Sequence, residues 1–135
     1  ACTQLRVLDL SHNCIGDSGM VALSRAACKE LSDGHRPLTN LVELKLEKNL
    51  IADGGARALA EAIDGGALRG LIELHLDHNL IGDHGLIGLG KVLRKGKLPS
   101  VDMVYLNNNQ AGEVGKQAVR QAFSTLKLEN DAFCV

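Results

Sequence analysis

Aromatic side chains are nearly missing from this sequence, which has one tyrosine, two phenylalanines and no tryptophan in 135 residues. A platform that stacks nucleic-acid bases needs several such rings. An excess of charge is missing too: 15 basic residues face 16 acidic ones, for a formal net charge of −1. That balance removes the electrostatic basis of strong phosphate-backbone binding. No apolar run approaches the roughly 20 residues that cross a bilayer. Ala1 to Arg6 lack the basic-then-apolar layout of a secretory signal. Neither nucleic acid nor membrane is expected as a partner.

The cysteines, Cys2, Cys14, Cys28 and Cys134, are scattered, with no CxxC pair and no cluster. Scattered thiols favour reduced cysteines over a disulfide framework, and so a cytoplasmic or other reducing intracellular compartment. Cys14 reads as a small residue near a core, since nothing marks a base or pocket that would make it a nucleophile. The glycine-flanked aspartates at 16–19 and 82–85 lack the Lys-Ser/Thr that completes a phosphate-cradling loop. No catalytic residue, cofactor or enzymatic activity is expected.

What the sequence does contain is an internal repeat, and such periodicity decides a fold before any local reading. Leu5-Arg-Val-Leu8-Asp-Leu10-Ser-His-Asn13 has the form LxxLxLxxN. It returns as Leu41-Val-Glu-Leu44-Lys-Leu46-Glu-Lys-Asn49 and as Leu71-Ile-Glu-Leu74-His-Leu76-Asp-His-Asn79. Val101-Asp-Met-Val104-Tyr-Leu106-Asn-Asn-Asn109 is a fourth copy with valine at two leucine positions. The asparagines are separated by 36, 30 and 30 residues. Agreement continues past them. Two residues on stand Ile15, Ile51, Ile81 and Ala111; four on, Asp17, Asp53, Asp83 and Glu113; six on, Gly19, Gly55, Gly85 and Gly115; ten on, Leu23, Leu59, Leu89 and Val119.

Each recurrence has a physical reason. Alternation around the LxL core is the period of a strand with one buried face. Asn13, Asn49, Asn79 and Asn109 stand where the chain leaves that strand, and an amide that both donates and accepts can satisfy backbone groups stranded there. Stacking the repeats turns these asparagines into a column. The acidic residue suits an N-cap or first helical turn. The glycine suits a close approach of helix backbone to the neighbouring strand, or a positive φ. Apolar spacing then predicts helices near 18–31, 54–64, 84–95 and 113–126. Met20, Val21, Leu23, Ala26, Ala27 and Leu31 would line the first packed face. Gly34, Gly65-Gly66 and Gly96 would stop the helices. Pro37 and Pro99 fall in the connections, where their missing amides do least harm.

This pattern resembles the ribonuclease-inhibitor-like class of leucine-rich repeats over residues 5–126. The resemblance implies an α/β solenoid, a horseshoe segment of four repeats with parallel strands on the concave face and helices on the convex one. Residues 1–135 form a single domain in this reading, with repeats beginning near 5, 41, 71 and 101, and 127–135 as a C-terminal cap or tail. The class also occurs in cytoplasmic immune receptors and in an activating protein for the Ran GTPase. The implied function is a non-enzymatic protein-interaction module, a scaffold, adaptor or subunit; the alternative is a regulator of a small GTPase. Two departures are visible. The repeats are longer than usual for the class, the first by an insertion around Ser32 to Pro37. The concave positions also lack the aromatic wealth that ribonuclease inhibitor carries, so ribonuclease binding does not transfer.

The residues flanking the buried leucines face the concave side and supply the candidate protein-binding set. They are Asp9 on the first strand, with Val7 and Ser11; Glu43, Lys45 and Glu47 on the second; Glu73, His75 and Asp77 on the third; Met103, Tyr105 and Asn107 on the fourth. His12, Lys48, His78 and Asn108 follow at the rim. The resulting face is mildly acidic, whereas Lys91, Arg94, Lys95 and Lys97 make the outer side basic. A partner segment with basic and apolar groups fits this grid, with Tyr105 and Met103 as anchors. Binding at the helices or ends, and a solvated face that only assists strand pairing, are the competing readings. A metal site built from Glu47, Glu73, His75, Asp77 and His78 is set aside, because His78 sits at the turn while His75 and Asp77 share a face. No metal is expected.

At the ends, only Ala1 to Gln4 precede the first strand, and a terminal repeat exposes an apolar cross-section unless it is covered. The chain therefore reads as a fragment, or as a subunit of a larger complex whose neighbour covers the N-terminal open end. Thr125 to Asn130 resembles half of a further strand motif. Phe133, Cys134 and Val135 form an apolar tail, for which packing, disorder and docking on a sheet edge are all open.

Overall fold

The computed structural model describes residues 4–125 and the short strand 133–134. Strands and helices alternate: β1 (Val7–Asp9), α1 (Asp17–Cys28), β2 (Glu43–Lys45), α2 (Asp53–Asp64), β3 (Glu73–His75), α3 (Asp83–Arg94), β4 (Met103–Tyr105), α4 (Glu113–Thr125) and β5 (Phe133–Cys134). All strands run parallel in one sheet of order β1-β2-β3-β4-β5. Four repeats of strand, turn and helix thus form a solenoid, with β5 extending its sheet beyond the fourth. The half-motif at 125–130 lies almost wholly outside the described residues, as does Leu126.

β1 to β4 are each three residues long, yet repeat-to-repeat hydrogen bonding runs further on both sides. Val42 N–H donates to Arg6 O before the strand, and Leu10 N–H and His12 N–H donate to Lys45 O and Glu47 O after it. The same ladder links β2 to β3 and β3 to β4, ending with Lys48 N–H to Asp77 O and His78 N–H to Asn107 O. There the backbone turns sharply. His12, Lys48, His78 and Asn108 all take left-handed conformations, with φ of 56–57°. Histidine and asparagine are among the residues that enter this region most readily.

In the second, third and fourth repeats the asparagine that follows the turn works between repeats. Asn79 Nδ2 donates to Leu46 O of the preceding repeat at 2.9 Å and to Leu76 O of its own at 3.1 Å, while its Oδ1 accepts from Ile51 N–H at 3.1 Å. Asn49 and Asn109 repeat the arrangement on Leu10 and Ile15, and on Leu76 and Ile81. Asn49 and Asn79 are buried. A side chain with both donor and acceptor is what this junction requires, since neither group it serves has a ladder partner.

The acidic residue stands in the first helical turn, as one of the two expected placements has it, and its bonds reach across a repeat boundary. The N-cap positions are Gly16, Ala52 and Gly82, none with a side-chain capping bond. Asp53, in the first turn of α2, instead accepts from Gly82 N–H and Gly85 N–H of α3, both at 2.8 Å. Asp83 serves Gly112 and Gly115 in the same way, and Asp17 serves Ala52. Each carboxylate thus sits at the N-terminus of the next helix, where orphan amides and the positive dipole end stabilise a negative charge.

This explains the invariant glycine, and again the partner differs from the one expected. A Cβ on Gly85 would lie 2.6 Å from Ile81 Cγ2 and 2.7 Å from Asp53 Oδ1. The close approach is to the preceding helix and its carboxylate, not to a strand, and φ is not positive there. Positive φ occurs at Gly34, Gly66 and Gly96 in the connections. The first helix stops at Cys28, short of the expected residue 31, and the chain then winds through the insertion, where Arg36 donates to Gly65 O of the next repeat.

One continuous core lies between strands and helices. Leu41, Leu44, Leu46, Ile51, Leu71, Leu74, Leu76 and Ile81 are all at most 1% exposed. Ala56, Leu59, Ala62 and Ile63 of α2 close over it, followed by Leu86, Leu89, Val92 and Leu93 of α3 and Val119, Ala122 and Phe123 of α4. In α1 the buried residues are Met20, Ser24 and Ala27, whereas Ala26, assigned to the packed face, is exposed. Cys14 is exposed as well, which corrects its placement near the core. It shares its place in the repeat with Leu50 and Leu80, 52% and 39% exposed, because the left-handed turn swings that position outward.

Candidate functional site: the strand face

Parallel register lines up the residues that flank the buried leucines. Val7, Glu43, Glu73 and Met103 form one row across the sheet, and Asp9, Lys45, His75 and Tyr105 a second. Ser11, Glu47, Asp77 and Asn107 follow where the backbone ladder continues. Strands about 4.8 Å apart make such rows a grid with side chains in lateral contact. All the candidate binding residues on β2, β3 and β4 are half-buried, whereas Asp9 is exposed.

The centre of the grid is tightly organised. The His75 ring stacks on Tyr105, with centroids 4.4 Å apart and planes at 19°. His75 Nε2 lies 3.1 Å from Glu43 Oε1 and 3.3 Å from Glu73 Oε2. Lys45 Nζ is 3.5 Å from the same Glu43 oxygen. At the rim, Asn108 Nδ2 and His78 Nε2 are 3.1 Å apart, with Asp77 Oδ2 4.0 Å from that histidine nitrogen. Met103 packs partly into the core beside its strand. Asp9 hydrogen-bonds through Oδ1 to the Ser11 hydroxyl and backbone N–H. Those bonds, hydroxyl first, hold its carboxyl below the usual aspartate range, with Lys45 and His12 adding positive charge nearby.

The sheet and helix faces differ in chemistry. On the convex side a groove of about 390 Å³ runs between α1 and α2, lined in part by Val21, Ser24, Arg25, Cys28, Arg57 and Glu61. Lys95 and Lys97, two residues of the expected basic cluster, both lie within 4.0 Å of Asp64 Oδ1. Among the described residues, the buried side-chain polar atoms without a hydrogen-bond partner are Ser24 Oγ, Glu47 Oε2 and His75 Nε2. Two of these three belong to the strand face.

A leucine-rich-repeat family model matches residues 1–24 and 38–60, covering the first two strand motifs and the turns after them. The match covers two of the four repeats, and the other two consist of the same parallel strand, turn and helix units. The chain is a leucine-rich-repeat protein. No curated protein matches it at a significant level. Leucine-rich repeats generally serve as protein-binding modules. Among the described residues of this leucine-rich-repeat protein, no helix is long and apolar enough to cross a membrane.

Sequence reasoning placed the candidate residues on one face but missed what meets there. Glu43, absent from the metal grouping that the sequence suggests, meets Glu73 and His75 here, whereas Glu47, Asp77 and His78 do not join that group among the described residues. The register that pairs Glu43 with Glu73, one step diagonal from His75, was the available signal.

Proposed function

We propose that this leucine-rich-repeat protein is a non-enzymatic interaction module, an adaptor or a subunit of a larger assembly. Its strand face takes a protein segment carrying basic and apolar groups. The observation that carries this reading is the register-matched grid of Asp9, Glu43, Lys45, Glu47, Glu73, His75, Asp77, Met103, Tyr105 and Asn107. Within it, Glu47 presents a buried carboxylate oxygen that has no hydrogen-bond partner. A buried acceptor left unmade costs about 1–3 kcal/mol, which the Glu47 carboxylate would recover by turning outward to a docking lysine or arginine. The Tyr105–His75 stack offers a flat, rigid apolar surface beside it, the type of anchor on which interfaces concentrate their energy.

The test is capture of binding proteins from the source cell extract by three forms of the chain. These are the unaltered protein, a Tyr105→Ala, Glu73→Lys variant of the strand face, and an Arg57→Glu variant of the helix face. A partner lost only from the first variant supports the reading. A partner lost only from Arg57→Glu moves the site to the helices. The GTPase-regulator reading rests on the resemblance alone, and a GTP-hydrolysis assay against a small panel of GTPases separates it from the adaptor reading.

A further inference from the structure

We propose that Glu43, Glu73 and His75 form a divalent-cation site on the strand face, with Zn²⁺ the cation that its donors suit best. One ligand atom from each of the three residues lies within 4.8 Å of the others. The distances from His75 Nε2 to the two carboxylates are 3.1 and 3.3 Å. Zinc bonds of about 2.0–2.1 Å to nitrogen and oxygen set neighbouring ligands of a tetrahedron roughly 3.3–3.4 Å apart. The nitrogen-to-oxygen spacing is already close to that of a zinc sphere.

A second feature concerns the hydrogen bonding of the same histidine. His75 Nε2 is within ion-pair reach of both carboxylates, yet it makes a hydrogen bond of acceptable geometry with neither, and the atom is closed off from solvent. An imidazolium held by simple ion pairing would aim its N–H at one of the oxygens. Nε2 therefore has no hydrogen-bond partner while a carboxylate oxygen of each glutamate stands within 3.3 Å of it, an arrangement that a cation shared by the three would satisfy. The ring cannot easily swing away, because it is stacked on Tyr105, and its side chain is 18% exposed.

The donor set argues for the metal class. Two carboxylates and one neutral imidazole neutralise a dication. Imidazole suits zinc and its transition-metal neighbours, whereas calcium and magnesium prefer six or more oxygens. Three protein ligands leave one position for water or for a side chain of a docked protein. Lys45 Nζ, 3.5 Å from Glu43 Oε1, supplies positive charge at the site and must swing aside on binding. The proposal stands on these three residues whether or not a protein docks on the face.

The experiment is titration of the full chain with Zn²⁺ against a chromophoric chelator, repeated with His75→Ala and with Glu73→Gln. Glu61→Gln, on the exposed side of α2, is the control. One zinc per chain is expected, weakened at least about tenfold by either site substitution and unchanged in the control. Glu73 is 41% exposed, so Glu73→Gln keeps the test valid should His75→Ala disturb folding. Cobalt substitution should give a nitrogen and oxygen spectrum without thiolate charge-transfer bands. No stoichiometric zinc, equal affinity in all variants, or a thiolate band from the cysteines overturns the assignment.

Discussion

Leu8 and Leu74 hold the same place in the repeat, as do Asn13 and Asn79, yet their surroundings differ. Leu74 is 1% exposed and Asn79 is 4% exposed, while Leu8 is only half-buried and Asn13 is exposed. Leu5, Leu10 and Ile15 are half-buried too, against complete burial of Leu71, Leu76 and Ile81. The asparagines show the cause. Asn79 bonds to groups of the repeat before it, whereas Asn13, among the described residues, reaches Leu10 O and Ser11 O of its own repeat alone. A motif residue in a solenoid is therefore not stabilising by itself. It becomes so when a neighbour supplies the other half of its contacts.

Paired substitutions break this comparison most sharply at the asparagines. Asn79→Ala strands Leu46 O, Leu76 O and Ile51 N–H in the interior, and should cost about 3–5 kcal/mol. Asn13→Ala should cost less than about 1 kcal/mol, because water replaces its bonds. Urea denaturation of the two variants checks this, and equal losses would mean that the column is not what couples the repeats. Next come the leucines: Leu74→Ala should lose about 3 kcal/mol to a buried cavity. Leu8→Ala should lose no more than about half as much, measured in the same way.

The glycines give a smaller contrast of opposite chemistry. In Gly85→Ala the new methyl meets Ile81, Asp53 and Ala56 at 2.6–3.0 Å, which should cost about 1–3 kcal/mol through forced shifts. In Gly19→Ala its closest neighbour is the Ile15 side chain at 3.0 Å, with no carboxylate of the described residues within 4 Å, and the loss should stay below about 1 kcal/mol. The difference in thermal midpoint reads it out.

The smallest effect belongs to Asp9. Its folded pKa is depressed, so the stability it adds is present above the ordinary aspartate pKa and fades as pH falls through the lower folded value. Ser11→Ala should raise that pKa toward the ordinary value, because the hydroxyl bond is the largest cause of the shift. A carboxyl-carbon NMR titration that does not move would assign the effect to the Ser11 backbone amide and to Lys45 and His12 instead.

The repeat, the strand positions and the residues that stack as an asparagine column were legible in the sequence because each recurs at fixed offsets with a reason internal to one repeat. The acid and glycine recur just as regularly, but their partner is one repeat away. Asp53 meets Gly85 only after stacking, and within a single repeat it looks like an ordinary cap. Cys14 was misplaced for a related reason. The left-handed turn at His12 resets which way the following side chains face, and residue type alone carries no sign of it. On the strand face the rows were legible and their contacts were not. Which carboxylates reach His75 depends on rotamers and register together.

The central functional claim is that a protein segment lies along the strand face. Carbodiimide labelling of carboxylates, with and without the captured partner, tests it most directly. The account predicts shielding of Glu43, Glu73 and Asp77, with Glu61 and Glu113 on the helices labelled equally in both states. Shielding of the helical carboxylates alone, with Glu43, Glu73 and Asp77 unchanged, would contradict it.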